Sequence, residues 1–356
     1  MTRPLCSISE HVTEQGYKAV TLENEILSVT VLPSKGADIY ALLYKPRNMD
    51  VLWKSPWGLK RPGAGVPTAG TTEEAWLEHY GGGWQEIFPN GGDACVYKGC
   101  HLNFHGEVSV LPWKYTIQKG DTEVSVEFSV STYRSPFQLR RRMTVKAGRP
   151  VIHISEKLQN YAEEEMQFMW GHHPAYGAPF LDGDCFIQLP SATFQAHDVA
   201  MAPISKIPAG MVGSWPCIPG KEGTVDLSQV PPMTERHCEF GYLRDLTAGW
   251  YTITSRKHDF GVGLTWPVEF FKYLWFWQEL RGSFGYPWHG RCYVMAIEPF
   301  TSIPGTGLQN AIKAGTAPVI APLGSVEVNL ATFFVEGQES IESVDLAGNV
   351  VFASRA

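Results

Sequence analysis

The chain has 356 residues, of which 44% are hydrophobic and 18% charged, with 35 glycines, 25 prolines and a formal net charge of -7. That composition excludes a helical bundle and a disordered chain and leaves a turn-rich globular protein with a sizeable core. The negative balance, with no long block of like charge, speaks against a nucleic-acid surface and against electrostatic attachment to anionic membranes.

The seven cysteines, Cys6, Cys95, Cys100, Cys185, Cys217, Cys238 and Cys292, are odd in number, scattered, and never spaced C-x-x-C. They read as reduced thiols of a cytoplasmic protein. The polar residues Ser7 to Gln15 are unlike a signal peptide, and no stretch approaches a membrane span.

From Tyr17 the chain alternates in short apolar bursts. Ala19 to Leu22 and Ile26 to Leu32 are bounded by Glu-Asn and Pro-Ser-Lys-Gly, and Asp38 to Tyr44 continues the pattern. These features predict antiparallel strands joined by tight turns. A short helix is expected over Thr72 to His79. After it, Gly81-Gly82-Gly83-Trp84-Gln85-Glu86-Ile87-Phe88-Pro89-Asn90 combines glycine freedom with an aromatic face and bidentate polar groups. That suits a sugar-binding loop, with Trp84, Gln85, Glu86 and Asn90 as contacts, and it also suits a plain flexible turn.

His105 follows in a Phe-His-Gly setting. Strands are predicted over Glu123 to Val130, Phe137 to Val145, Val151 to Gln159 and Glu165 to Trp170. Arg140, Arg141 and Arg142 fall on both faces of one of them, solvated or paired with carboxylates rather than gathered on a phosphate. Then come His172 and His173, directly before Pro174, where the extended backbone is expected to end. Imidazoles titrate near neutrality and suit proton chemistry, but neighbours on a strand point to opposite faces. At most one of the two should face a given pocket.

Residues 178–233 read as long excursions from a sheet. Trp275 and Trp277, two apart, share a strand face that is either a stacking platform or core. Glu298 ends the apolar run Tyr293 to Ile297 just before Pro299, where desolvation would raise its pKa toward a base's range. A last strand is expected over Gly324 to Val335. The sequence holds no Walker motif, dinucleotide fingerprint, nucleophile elbow or H-E-x-x-H.

Taken in order, Leu27 to Pro33 with Gly36-Ala37, Phe104-His105-Gly106, His173-Pro174 with Tyr176, and Ile297-Glu298-Pro299 resemble the aldose 1-epimerase (galactose mutarotase-like) superfamily in its divergent members. The resemblance spans about Tyr17 to Val335. It implies an all-β, large antiparallel β-supersandwich, with residues 1–356 as one domain. It also implies an isomerase that interconverts the α and β anomers of a free sugar without a cofactor or metal. By position, His173 matches the general acid at the ring oxygen, Glu298 the general base at the anomeric hydroxyl, and His105 a histidine that binds and polarises the sugar. Asp245 matches a sugar-binding aspartate; His172, Trp84, Glu86, Asn90 and Trp277 complete the expected substrate contacts.

The arginine that usually follows the asparagine matched to Asn90 is absent, and Gly91 stands there. A sugar-phosphate epimerase would want clustered basic residues, for which only Arg244, Arg281 and Arg291 are candidates. A carbohydrate-binding protein would keep the aromatics without the acid and base. Metal chemistry would draw on His105, Glu107, His172, His173 and Glu298, whose spacing matches no compact signature. The expected partner is a small-molecule sugar, with no nucleic acid and no membrane; a homodimer is left open.

Overall fold

The computed structural model describes residues 5–63 and 69–354. Antiparallel pairing dominates among them, in a sheet of twelve strands and a sheet of eight. Nine strands and two helices frame the candidate residues: β1 (Asp38–Tyr44), α1 (Thr72–His79), β2 (Trp84–Ile87), β3 (Phe137–Lys146), β4 (Val151–Asn160), β5 (Gly171–Gly177), β6 (His237–Arg244), β7 (Tyr273–Leu280), β8 (Tyr293–Phe300), α2 (Leu308–Lys313) and β9 (Ser325–Glu336). The large sheet runs β1-β2-β5-β8-β7-β6 through its centre, with Leu27–Leu32 and earlier strands on one flank and Thr193–Ala196 on the other. In the smaller sheet β9, β4 and β3 are neighbours.

Local sequence explains which strands are covered on one side and which on both. In β3, Phe137, Leu139, Arg141, Met143 and Val145 are buried while Arg140 and Lys146 are exposed, the period of two expected of a half-solvated strand. In β5 and β8 every residue is buried, because the small sheet covers one face and loops with α1 cover the other. Each large apolar side chain so enclosed contributes about 1.5–3 kcal/mol relative to exposure.

The structure corrects the expected strand around the histidines. Residues 165–170 contain only the two-residue strand Met166–Gln167, and the long strand begins at Gly171 and runs through Pro174 to Gly177. Proline is tolerated there because the ladder to β8 is interrupted. Gly171 pairs with Phe300 and Ala175 with Ala296, while the interval between them holds Pro174 and Pro299, neither of which has an N–H to give. The two histidines therefore sit inside a central strand, not at its end. That interval places His173 opposite Glu298.

Candidate functional site

Strand registers sort the candidate residues onto two faces. Pairing of β5 with β2 sets His173 opposite Gln85, His172 opposite Glu86 and Pro174 opposite Trp84. Pairing of β7 with β8 sets Trp275 opposite Glu298 and Trp277 opposite Ala296. Directly opposed residues share a face and successive ones alternate. One face thus presents His173, Glu298, Gln85, Trp275 and Trp277, and the other presents His172, Glu86 and Trp84 to the small sheet.

On the first face His173 Nδ1 lies 3.3 Å from Glu298 Oε1, with both side chains almost fully buried. The contact has ion-pair distance but not hydrogen-bond alignment, so Nδ1 has no hydrogen-bond partner. Aromatic rings enclose the pair. Tyr80 stacks on His173 with centroids 5.5 Å apart and planes 16° apart, Trp76 lies at 6.0 Å, and Trp277 lies at 5.8 Å. Trp76 and Tyr80 are four residues apart and so emerge from one side of α1. The helix is fixed by a capping box: Thr71 Oγ1 accepts from the Glu74 N–H, and Glu74 accepts from the Thr71 N–H, both at 3.1 Å. It ends at a turn that only glycine fits, since a Cβ on Gly82 would lie 2.2 Å from the Trp53 carbonyl oxygen.

His105 reaches the same place from a loop, its ring centroid 6.0 Å from that of His173. Its backbone is left-handed, and it is clamped twice to Gly92. Its N–H donates to the Gly92 carbonyl at 3.0 Å, and its Nδ1 accepts from the Gly92 N–H at 3.0 Å. A neutral imidazole accepting at Nδ1 carries its proton on Nε2. Burial, with His173 beside it, pushes the His105 pKa well below the ordinary imidazole range, so the ring serves as a neutral donor.

Gln85, from the expected sugar-binding loop, joins this face together with two residues not anticipated from the sequence, Asp38 and Tyr80. Asp38, at the start of β1, is ion-paired with Lys35 and accepts from Gln85 Nε2 at 2.9 Å. Asp38 Oδ1, Gln85 Oε1 and the Tyr80 hydroxyl are buried without a hydrogen-bond partner. Burial raises the Asp38 and Tyr80 pKa values, and the charges of Glu298 and Asp38 add to the rise at Tyr80, which places that hydroxyl near both. Buried polar atoms without partners are costly, and a cluster of them beside an acid and a base is what a hydroxyl-rich ligand would satisfy.

The expected substrate contacts divide. Trp277 lies on the His173 face. Trp84, Glu86 and His172 instead lie between the sheets, fully buried. There Trp84 Nε1–H donates to His172 Nδ1 at 3.3 Å, and His172 Nε2–H donates to Glu156 Oε2 at 3.1 Å. Glu86 accepts from Trp170 Nε1 at 2.8 Å and from Arg141 Nη1 at 3.2 Å. Burial pushes Glu86 up to about 7 and Glu156 up to about 8, and holds His172 down at about 4. This layer has one guanidinium for two carboxyls, so one carboxyl keeps a proton.

Asn90 is spent on its own loops: Nδ2 donates to the Asp93 and Asn103 carbonyls, and Oδ1 accepts from the Leu308 N–H that begins α2. Asp245 is exposed beyond the end of β6 and pairs with Arg244 at 2.7 Å. Glu107 accepts from the backbone of Tyr133 and Arg134. Among the described residues no three His, Cys, Asp or Glu side chains converge as a metal cage would require.

The family described as a domain of unknown function, DUF4432, matches residues 14–211, more than half of the chain. The chain belongs to the DUF4432 family. Its fold is that of galactose mutarotase-like proteins. A proposed aldose 1-epimerase from Klebsiella pneumoniae superposes with a TM-score of 0.70 at 14% identity, covering 95% of this chain and 85% of that one. A galactose mutarotase-like protein from Clostridium acetobutylicum gives 0.65 at 13% identity over 94% and 100%, and one from Lactobacillus casei gives 0.60 at 17% over 89% and 100%. None of the curated proteins is similar to this family member in sequence. No helix among its described residues is long and apolar enough to cross a membrane.

Proposed function

We propose that this DUF4432 protein is a sugar isomerase of the aldose 1-epimerase type, interconverting the anomers of a free aldose by acid–base ring opening. The observation that carries the reading is the cross-strand pair His173 and Glu298, 3.3 Å apart under an aromatic cover. In a cyclic hemiacetal the hydroxyl and the ring oxygen are bonded to one carbon. The base and the acid must therefore stand about one carbon's width apart, and opposed residues on adjacent strands, with Cβ atoms about 5 Å apart, meet that demand.

Glu298 takes the proton of the anomeric hydroxyl while His173 gives one to the ring oxygen. The C1–O bond to the ring oxygen breaks, the aldehyde rotates, and closure on its other face reverses both transfers. His105 Nε2–H donates to a sugar oxygen, and Trp277 with Tyr80 and Trp76 offers apolar faces to the ring carbons. The groups without partners around the pair are acceptors or a phenol, and Arg244 and Arg281 are engaged at Asp245 and at the Met233 carbonyl. That setting supports an uncharged aldose over a phosphorylated one.

The test is anomer exchange of a panel of aldoses, read by saturation-transfer NMR or polarimetry on the full chain. His173→Asn and Glu298→Gln each lower the rate by roughly 10²–10⁴-fold, and the double variant loses little more because the two act on one proton circuit. Wild-type rates in both single variants, with the fold intact, would refute the assignment. Sugar binding without faster exchange in the unmodified protein would make it a carbohydrate-binding protein.

A further inference from the structure

On the reverse of the large sheet lies a cavity of about 730 Å³. The register of β6 with β7 pairs Glu239 with Gln278 and Phe240 with Trp277, so His237, Glu239 and Gln278 project from the face opposite Trp277. His237 and Gln278 line the cavity and are 2% and 0% exposed. The His237 ring and the Gln278 amide lie close enough to interact with each other, but neither ring nitrogen of His237 and not Gln278 Oε1 makes a hydrogen bond of good geometry. Burial, with Lys206 nearby, holds His237 at about 4, so its ring is neutral and offers one donor and one acceptor.

The opposing wall is built rather than loose. Glu239 accepts from Ser205 Oγ at 2.6 Å and from the Ile207 N–H at 3.2 Å, and Tyr293 donates to the Pro231 carbonyl at 2.5 Å, tying residues 205–207 and 231 to the sheet. Leu227, Val230 and Pro231 give the cavity an aliphatic side. Its charged lining mixes signs: Lys206 is paired with Glu235, Lys221 donates to the Ser205 carbonyl at 2.6 Å, and Glu222 and Asp226 stand beside them. Two lysines against three carboxylates form no cradle for a phosphate, whereas hydroxyl groups, each both donor and acceptor, match this lining.

We propose that this cavity is a second ligand site, taking a neutral polyhydroxylated molecule, a mono- or oligosaccharide, with its hydroxyls on His237 and Gln278. The site is independent of the chemistry assigned to His173 and Glu298. With no aromatic ring for stacking, its affinity lies in the millimolar range, roughly 1 mM or weaker.

The test is a long-range ¹H–¹⁵N spectrum of the full chain labelled at histidine. It is titrated with methyl β-D-galactopyranoside, methyl α-D-glucopyranoside and maltose, with glucose 6-phosphate and N-methylacetamide as comparison probes. The expected result is a saturable shift of the His237 ring nitrogens by at least one of the three sugars. That shift persists in Glu298→Gln and weakens by roughly 10-fold in Gln278→Leu. Should Gln278→Leu not fold, Lys221→Ala at the rim serves instead, with a smaller loss in the same direction. No saturable His237 shift with any of the sugars overturns the site, and tighter binding of the phosphosugar or the amide overturns the ligand class.

Discussion

Replacing Glu86 by glutamine tests the charge layer beneath the proposed site. In the folded protein Glu86 is raised from the ordinary 4.5 to about 7 by burial and by the neighbouring Glu156, against the pull of Arg141 and His172. A carboxyl raised on folding contributes stability that is fully present below its unfolded pKa and is lost as pH climbs through the folded one. The folded state holds a proton there that the unfolded chain has released. At about 1.4 kcal/mol per pH unit, stability should fall by about 3 kcal/mol between pH 4.5 and pH 7 from this group, treated as one shared titration with Glu156. In Glu86→Gln the amide oxygen keeps only one of the two bonds, because Trp170 donates to Oε1 and Arg141 to Oε2, and Glu156 alone ionises to balance Arg141. The variant should be near wild type or weaker at pH 5 and gain on it by about 3 kcal/mol by pH 8. Urea unfolding at pH 5, 6, 7 and 8 measures the difference. A gap between the two proteins that stays constant across that range would refute the shared-proton picture, whatever its size.

The cover over His173 gives a second prediction: Tyr80→Phe keeps the stacked ring and removes a buried hydroxyl without a partner. The thermal midpoint should hold or rise while KM for the preferred aldose rises roughly 10-fold, and an unchanged KM would take the Tyr80 hydroxyl out of substrate recognition. The clamp on His105 gives a third: a Cβ on Gly92, at φ +71°, would lie 1.8 Å from the Gly305 carbonyl oxygen. Gly92→Ala should cost about 1–3 kcal/mol in denaturant unfolding and displace the His105 ring, seen as a changed His105 tautomer ratio by ¹⁵N NMR. A variant of wild-type stability and tautomer would show that the loop relaxes freely.

Alternation along strands made much of the constellation legible. Trp275 and Trp277 had to share a face, and His172 and His173 had to part. The same rule applied to Trp84-Gln85-Glu86 separates Gln85 from its neighbours. It cannot say which of the two sets meets His173, because that depends on the register of β2 with β5. Polar side chains were the harder reading. Asn90 looks like a ligand group in a glycine-rich loop, yet its amide is consumed by carbonyls and an N–H from three segments that only folding brings together. Arg141, one of three successive arginines, is fully buried against Glu86 while Arg140 stays in solvent. Trp76 and Tyr80 carry no local sign of a role: their helix is short, and its meeting with β5 is a contact across almost a hundred residues.

The placement of the proposed acid and base on two adjacent central strands also bears on how the proposed reaction closes its proton account. Opening the ring leaves Glu298 protonated and His173 neutral, and ring closure returns each to its starting state. A turnover therefore neither takes a proton from water nor releases one. Such a pair can be sealed beneath Trp76 and Tyr80 without a relay to solvent, whereas a hydrolase in the same position would have to admit a water molecule. Sealing withholds hydration from the charged pair, and the transfers neutralise both charges. It also sets a cost, because among the described residues Trp76 and Tyr80 cover His173. The two aromatic rings lie on one side of a helix of two turns, held at its start by the Thr71–Glu74 box and at its end by the Gly82 turn. In the proposed reaction that helix is expected to shift as a unit to admit the sugar, a motion that amide exchange of residues 72–79 with and without substrate would measure.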